Sequence, residues 1–223
     1  MFARISGIKH IAFSIKGIDY WAEINSSSIE MALKEAGERI IGVIEMCIKS
    51  RITIFTFNLS EFSDFSAHMN WVSEFIDSLA KSRLVNDNKI KLSVMGKWYD
   101  LPSKVIDSVK NGVSATSEYD NFFLNLCLNY DGKEEIINAL RVIMRSIQYE
   151  KISPDQISKQ LVKENIYSSY FIPPDLIVLV HDCLASGFML WDSADSAIYF
   201  SGVEWNDFGK KEFKKALEFY GNK

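Results

Sequence analysis

Cysteine is scarce in this chain: Cys47, Cys127 and Cys183 are three in 223 residues, far apart, odd in number and without C-x-x-C spacing. That excludes a disulfide framework and gives no pattern for a structural zinc site, so a reducing compartment is expected. Cations are also short: 25 Lys and Arg face 29 Asp and Glu, for a formal net charge of −4. No cluster of them could neutralise a run of phosphates, which excludes nucleic acid as a partner. No apolar run reaches the ~20 residues that span a bilayer, and no cationic segment leading into an apolar one opens the chain. A cytoplasmic protein without a transmembrane segment is expected, peripheral membrane contact staying open. Internal repeats, linkers and low-complexity segments are absent as well, so residues 1–223 read as one domain.

What is present is an ordinary globular balance, 48% hydrophobic and 24% charged, with an excess of rings: 15 Phe, 9 Tyr and 5 Trp. Apolar and β-branched runs alternate with helical stripes. Strands are expected at Ile11 to Ile15, Arg51 to Phe57, Lys89 to Val94, Asn121 to Leu128 and Leu176 to Val180. Between them, Ile29, Leu33, Ala36, Ile40, Val43, Ile44 and Cys47 fall on one helical stripe, and Met69, Val72, Ile76 and Leu79 on another. Leu101-Pro102-Ser103 starts a short helix. Asp131 is placed to cap a helix whose core stripe is Ile136 or Ile137, Leu140, Ile143, Met144 and Ile147. Ser153-Pro154-Asp155-Gln156 has capping-box spacing and predicts another helix start. Phe213, Leu217 and Tyr220 make the inner face of a closing helix. Alternation of this kind implies an α/β fold, a central mostly parallel β-sheet flanked by helices.

In such sheets ligands sit beyond the carboxyl ends of the strands. Five loops qualify: Lys16-Gly17-Ile18-Asp19-Tyr20-Trp21, Asn58-Leu59-Ser60-Glu61-Phe62, Gly96-Lys97-Trp98, Asn129-Tyr130-Asp131-Gly132-Lys133 and His181-Asp182-Cys183. A diphosphate site needs converging Arg forks, backbone amides or a metal. These loops contain Lys16, Lys97, Lys133 and His181, and no Arg.

The same segments resemble one family. His10-Ile11-Ala12, then Gly17, then Trp21-Ala22 is similar to the opening signature of the cis-prenyltransferases, the undecaprenyl diphosphate synthase family. Ala36-Gly37, Phe57 with Ser60 and Glu61, Asn129-Tyr130-Asp131-Gly132-Lys133, Phe188-Met189-Leu190-Trp191, Tyr199-Phe200 and Trp205-Asn206-Asp207-Phe208 follow in the family's order. The resemblance implies the undecaprenyl diphosphate synthase fold, an apolar tunnel for an isoprenoid ligand, and a homodimer or a heterodimer with a cis-prenyltransferase homologue. It also marks departures. The family's magnesium-diphosphate Asp falls at Lys16, its Asn at Ile18, its Arg at Tyr20 and its metal-binding Glu at Ala197; its Arg and His ahead of Ala-Gly become Glu30 and Lys34. Its Arg-rich substrate segment is replaced by Leu179 to Leu184.

Loss of those groups together removes the electrostatic term that dominates departure of a diphosphate. The resulting expectation is a catalytically degenerate, non-catalytic subunit or isoprenoid-binding partner of an active prenyltransferase, with ordinary chain elongation lost and no cofactor. The alternative is a divergent enzyme with a rebuilt site acting on a prenyl diphosphate, a transferase or cyclase, and only that alternative calls for Mg2+. Candidate substrate-binding residues are Lys16, Gly17, Asp19, Tyr20, Trp21, Asn58, His181 and Asp182, with no metal ligands. His181 and Asp182 leave a strand in different directions and are not expected to pair. His68 is expected at the surface, His10 in a structural hydrogen bond, and Asp192 with Asp195 in an exposed turn or cap. Trp191, Trp205 and Phe208 are expected to pack, with a share at a subunit interface.

Overall fold

The computed structural model describes residues 7–60, 65–181 and 187–222, residues 65–67 in backbone only. Six strands, β1 (His10–Ser14), β2 (Ile54–Asn58), β3 (Ile90–Met95), β4 (Phe122–Cys127), β5 (Leu176–Leu179) and β6 (Ala197–Phe200), form one sheet in the order β3-β4-β2-β1-β5-β6. Every pairing in it is parallel. Eight helices join them: α1 (Ile18–Ile24), α2 (Ile29–Lys49), α3 (Phe65–Lys81), α4 (Arg83–Asn88), α5 (Ser103–Ala115), α6 (Gly132–Gln148), α7 (Lys159–Asn165) and α8 (Lys210–Gly221).

β1, in the middle of the sheet, is buried along its whole length, which is why it reads as an apolar run instead of an alternation. On one face Phe13, Phe57, Trp205, Phe208 and Phe213 are fully buried against α2 and α8. Phe13 stacks on Phe57 with ring centres 5.1 Å apart, and Trp205 on Phe208 at 5.6 Å. The Trp205 indole N–H donates to the Ala36 carbonyl (3.1 Å), the Asn206 amide donates to the Ala32 carbonyl (2.9 Å), and Arg39 donates to the Asn206 carbonyl. These bonds dock the short turn Trp205–Asp207 onto α2. Ser28 caps α2 by accepting from the Met31 amide, and Gly37 lets α3 approach, since a Cβ there would lie 3.3 Å from the Phe75 ring.

The opposite face carries polar groups among apolar ones. His10 is buried, as expected, in a structural hydrogen bond: Nδ1 lies 2.7 Å from the Ile172 carbonyl and Nε2 2.8 Å from Thr56 Oγ1, which also accepts from Asn125 (3.1 Å). Tyr130, Tyr167, Phe171, Phe188 and Met189 pack against the strand residues of this face, and α6 and α7 form a small cluster of their own.

Several expectations are corrected. Asp131 does cap α6, accepting from the Lys133 and Glu134 amides, but the helix turns Glu135, Ala139 and Ile143 inward. Ile137, Leu140 and Met144 are left exposed. The reason is Glu135, which accepts from the Tyr130 hydroxyl (2.6 Å) and the Tyr167 amide (2.9 Å) and so sets the helix rotation. The Ser153 capping box starts only the three-residue turn Pro154–Gln156; the helix proper begins after Ser158, whose hydroxyl caps it. Asp192 is not exposed: Lys163 donates to both its oxygens at 2.8 Å, and Ser168 donates to it as well. The segment after Pro102 forms a 13-residue helix, and Ile198-Tyr199-Phe200 belongs to a sixth strand. Among the described residues no helix is long and apolar enough to cross a membrane.

Candidate functional site

The chain leaves β1 toward β2 on one side and leaves β5 toward β6 on the other, so the loops part between the carboxyl ends of β1 and β5. Three segments meet at that crevice. The first is Lys16-Gly17, where Gly17 (φ 77°) takes the left-handed conformation that opens α1. The second is His181, which leaves β5 with φ 65° and whose backbone amide donates to the Val203 carbonyl at 2.8 Å. The third is Glu204, which precedes the docked turn Trp205–Asp207.

His181 Nδ1 lies 2.8 Å from Glu204 Oε1 and 2.6 Å from Oε2. The imidazole side chain is 31% exposed and the carboxylate side chain 14%. Gly17 lies directly beneath the pair: a Cβ at that position would overlap the Glu204 carboxylate and come within 2.9 Å of His181 Nδ1. The Tyr20 ring stands 5.5 Å from the imidazole, centre to centre. A second pair lies beside α1, where Asp19 Oδ1 is 3.4 Å from His68 Nε2. His68 is buried, against the surface position expected for it, because α3 turns it toward the first turn of α1.

The structure therefore brings Gly17, Tyr20 and His181 together, with Lys16 joined through its carbonyl to the Trp205 amide (3.4 Å). Asp19 belongs to the neighbouring pair. Two candidates serve the framework. Asn58 is buried and its side-chain oxygen accepts from the Ser60 amide, and the Trp21 indole donates to Asp207 at 3.1 Å, tying α1 to the docked turn. Asp182, and with it Glu61, Phe62 and Cys183 of the candidate loops, lies outside the described residues. Reading by motif missed Glu204 and His68. The signal for Glu204 was a carboxylate between the apolar Val203 and Trp205, directly before the Trp-x-Asp-Phe segment.

Among the described residues no group of three or more His, Cys, Asp or Glu side chains is arranged to hold a metal ion. Asp19 and Glu204, the carboxylates placed at this crevice, each lie against a histidine. Away from the crevice, a cavity of about 670 Å³ opens at the β3 edge between Trp98, Phe123, Tyr167 and Phe171; it takes in Trp98 of the strand-end loops and none of the eight substrate-binding candidates.

Comparison with known proteins follows from this geometry. The family model for undecaprenyl diphosphate synthases matches residues 15–223. The tritrans,polycis-undecaprenyl-diphosphate synthase (geranylgeranyl-diphosphate specific) of Thermoplasma volcanium is 29% identical over 226 residues, covering 98% of this chain and 81% of that one. The isoprenyl transferase of Clostridium tetani is 25% identical over 221 residues, covering 96% and 87%. Lavandulyl diphosphate synthase from Lavandula x intermedia, solved with dimethylallyl diphosphate, superposes with a TM-score of 0.90 over 99% of this chain and 98% of its own, at 19% identity. These relatives correct two expectations. A catalytically degenerate, non-catalytic subunit, and the loss of ordinary prenyl chain elongation, were inferred from substituted motif positions; relatives matched nearly end to end are named as synthases and transferases.

Proposed function

The chain belongs to the undecaprenyl diphosphate synthase family, the cis-prenyltransferases, and on that premise we propose that it is a prenyl transferase. It joins an allylic prenyl diphosphate to a homoallylic isoprenoid diphosphate and releases inorganic diphosphate. The observation that carries this reading is the end-to-end match to relatives named as chain-building enzymes.

The crevice between β1 and β5 supports it chemically. Tyr20 and His181 form its wall. Trp205, next to Glu204, packs on the rings of Phe13 and Phe57, all three fully buried, and apolar surroundings of this kind keep water from an allylic cation. The protein acts as a pair with a second copy through α6, whose Ile137, Leu140 and Met144 lie three and seven residues along one face and are exposed. We place it in the cytoplasm, in keeping with a chain that has three cysteines and no paired spacing among them.

The test is to incubate purified protein and magnesium with isopentenyl diphosphate and, in turn, dimethylallyl, farnesyl and geranylgeranyl diphosphate, following diphosphate release and the product's chain length. Release that requires both substrates is expected. No release with any of the three allylic partners would end this reading.

A further inference from the structure

The His181–Glu204 pair has the geometry of an oriented base. Both carboxylate oxygens lie within hydrogen-bond distance of Nδ1, so the proton of a neutral imidazole resides on Nδ1 and the lone pair on Nε2. Glu204 is the more buried partner and His181 the more exposed, so the orienting group sits inside. Nε2 makes no hydrogen bond to a described residue. The chain accepts a left-handed backbone at His181, and a residue without Cβ at position 17, in order to seat the pair. A non-glycine residue held at positive φ costs about 1 kcal/mol or more and persists where its surroundings over-determine it. Here the surroundings are the Val203 carbonyl, the Glu204 carboxylate and the flat face of Gly17. Among the described residues, the titratable groups in contact with the ring are Glu204 and Tyr20.

We propose that His181 is the general base of the prenyl transfer and that Glu204 is its positioning residue, an inference that rests on the transferase reading above. The electron accounting closes with these groups. The allylic C1–O bond breaks and its pair leaves on diphosphate. The double bond of the homoallylic partner supplies the pair for the new carbon–carbon bond. Nε2 of His181 takes the proton from the adjacent C2, and that C–H pair becomes the new double bond. Glu204 stabilises the imidazolium formed, as a carboxylate on the far nitrogen does in other oriented histidines.

The test variant is His181→Gly, because glycine adopts φ 65° without strain and the fold is preserved where Ala would resist it. With the substrate pair the wild type turns over, kcat is expected to fall about 100- to 10,000-fold, the usual worth of a general base. KM for both diphosphates is expected to stay within about threefold, and added imidazole to restore part of kcat. The wild type's kcat is expected to fall on the acid side, and that limb is expected to vanish in His181→Gly. Glu204→Gln is expected to lower kcat and leave KM unchanged. Wild-type kcat in His181→Gly, a rise in KM with kcat unchanged, a retained acid limb, or no response to imidazole would each overturn the proposal. Turnover by the wild type with any of those results sinks the general base alone, whereas no turnover by the wild type sinks the transferase reading and this one with it.

Discussion

Acidification from pH 7 to pH 5 is expected to destabilise this protein through one buried histidine. His10 is fully buried under the polar face of the sheet, and burial lowers its pKa from 6.5 to about 4, outweighing the Ile172 carbonyl that favours the charged ring. Its Nδ1–H donates to that carbonyl and its Nε2 accepts from the Thr56 hydroxyl, whose oxygen already accepts from Asn125. A second proton on Nε2 would meet a hydroxyl already pointing at it. Because the folded pKa is depressed, the unfolded chain binds the proton first as pH falls, and stability is lost between pH 6.5 and about 4. At pH 5 the unfolded ring is almost fully charged and the folded ring about one-tenth charged, which amounts to about 2 kcal/mol; the full loss below pH 4 is about 3 kcal/mol. The assay is guanidinium unfolding at pH 7 and pH 5 for the wild type and for His10→Asn, which keeps a donor toward Ile172 and has no titrating ring. The wild type should lose about 2 kcal/mol more than the variant over that interval. Glu135, whose pKa burial raises, contributes with the opposite sign, but it is present in both proteins and cancels in the comparison. An equal pH response in the two proteins would refute the reasoning, as would a His10 ring that titrates near pH 6.5 by NMR.

Three further outcomes can be checked. Gly17→Ala places a Cβ against the Glu204 carboxylate at a backbone of φ 77°, so it should cost about 1–2 kcal/mol in denaturant unfolding and lower kcat by displacing Glu204. Lys163→Met strands Asp192, whose side chain is 2% exposed, without its cation, and a loss of about 3–5 kcal/mol is expected in the same assay. Leu140→Glu should convert a dimer into a monomer in sedimentation equilibrium and leave the thermal transition of the monomer nearly unchanged, since this side chain is 45% exposed in the single chain.

The elements most legible in the sequence were those whose burial is decided locally. β1, β2, β4 and β5 are buried on both faces and present as short apolar runs, and α2 displays its stripe because a single face meets the sheet. β6 was read only as a ring pair because it is a four-residue edge strand with Phe200 exposed, which gives neither alternation nor a full apolar run. The stripe of α6 was misplaced by half a face. Hydrophobicity favoured Leu140 and Met144 as inward residues, whereas the hydrogen bonds from Tyr130 and Tyr167 pull Glu135 in. Asp192 and His68 were placed at the surface for the same reason: charge in a short window says nothing about a Lys163 or an Asp19 supplied from another element.

That limitation also explains why position-by-position reading of the motifs pointed to an inert protein. The signature positions at Lys16, Tyr20 and Ala197 carry no carboxylate, and a search confined to them finds no acid or base. The two histidine–carboxylate pairs at this end of the sheet each cross elements: His68 from α3 meets Asp19 from α1, and His181 after β5 meets Glu204 after β6. Neither pair has a spacing that a linear pattern would detect, the partners being 49 and 23 positions apart in sequence. Glu204 reaches its place because Trp205 is sunk into the aromatic block and bonded to α2, so the packing residues that look purely structural fix where the carboxylate stands. If that coupling holds, Trp205→Phe, which keeps an aromatic ring but removes the N–H to the Ala36 carbonyl and part of the buried indole, should lower kcat as well as stability. A variant that loses stability in unfolding with kcat intact would show that the docked turn does not govern the site.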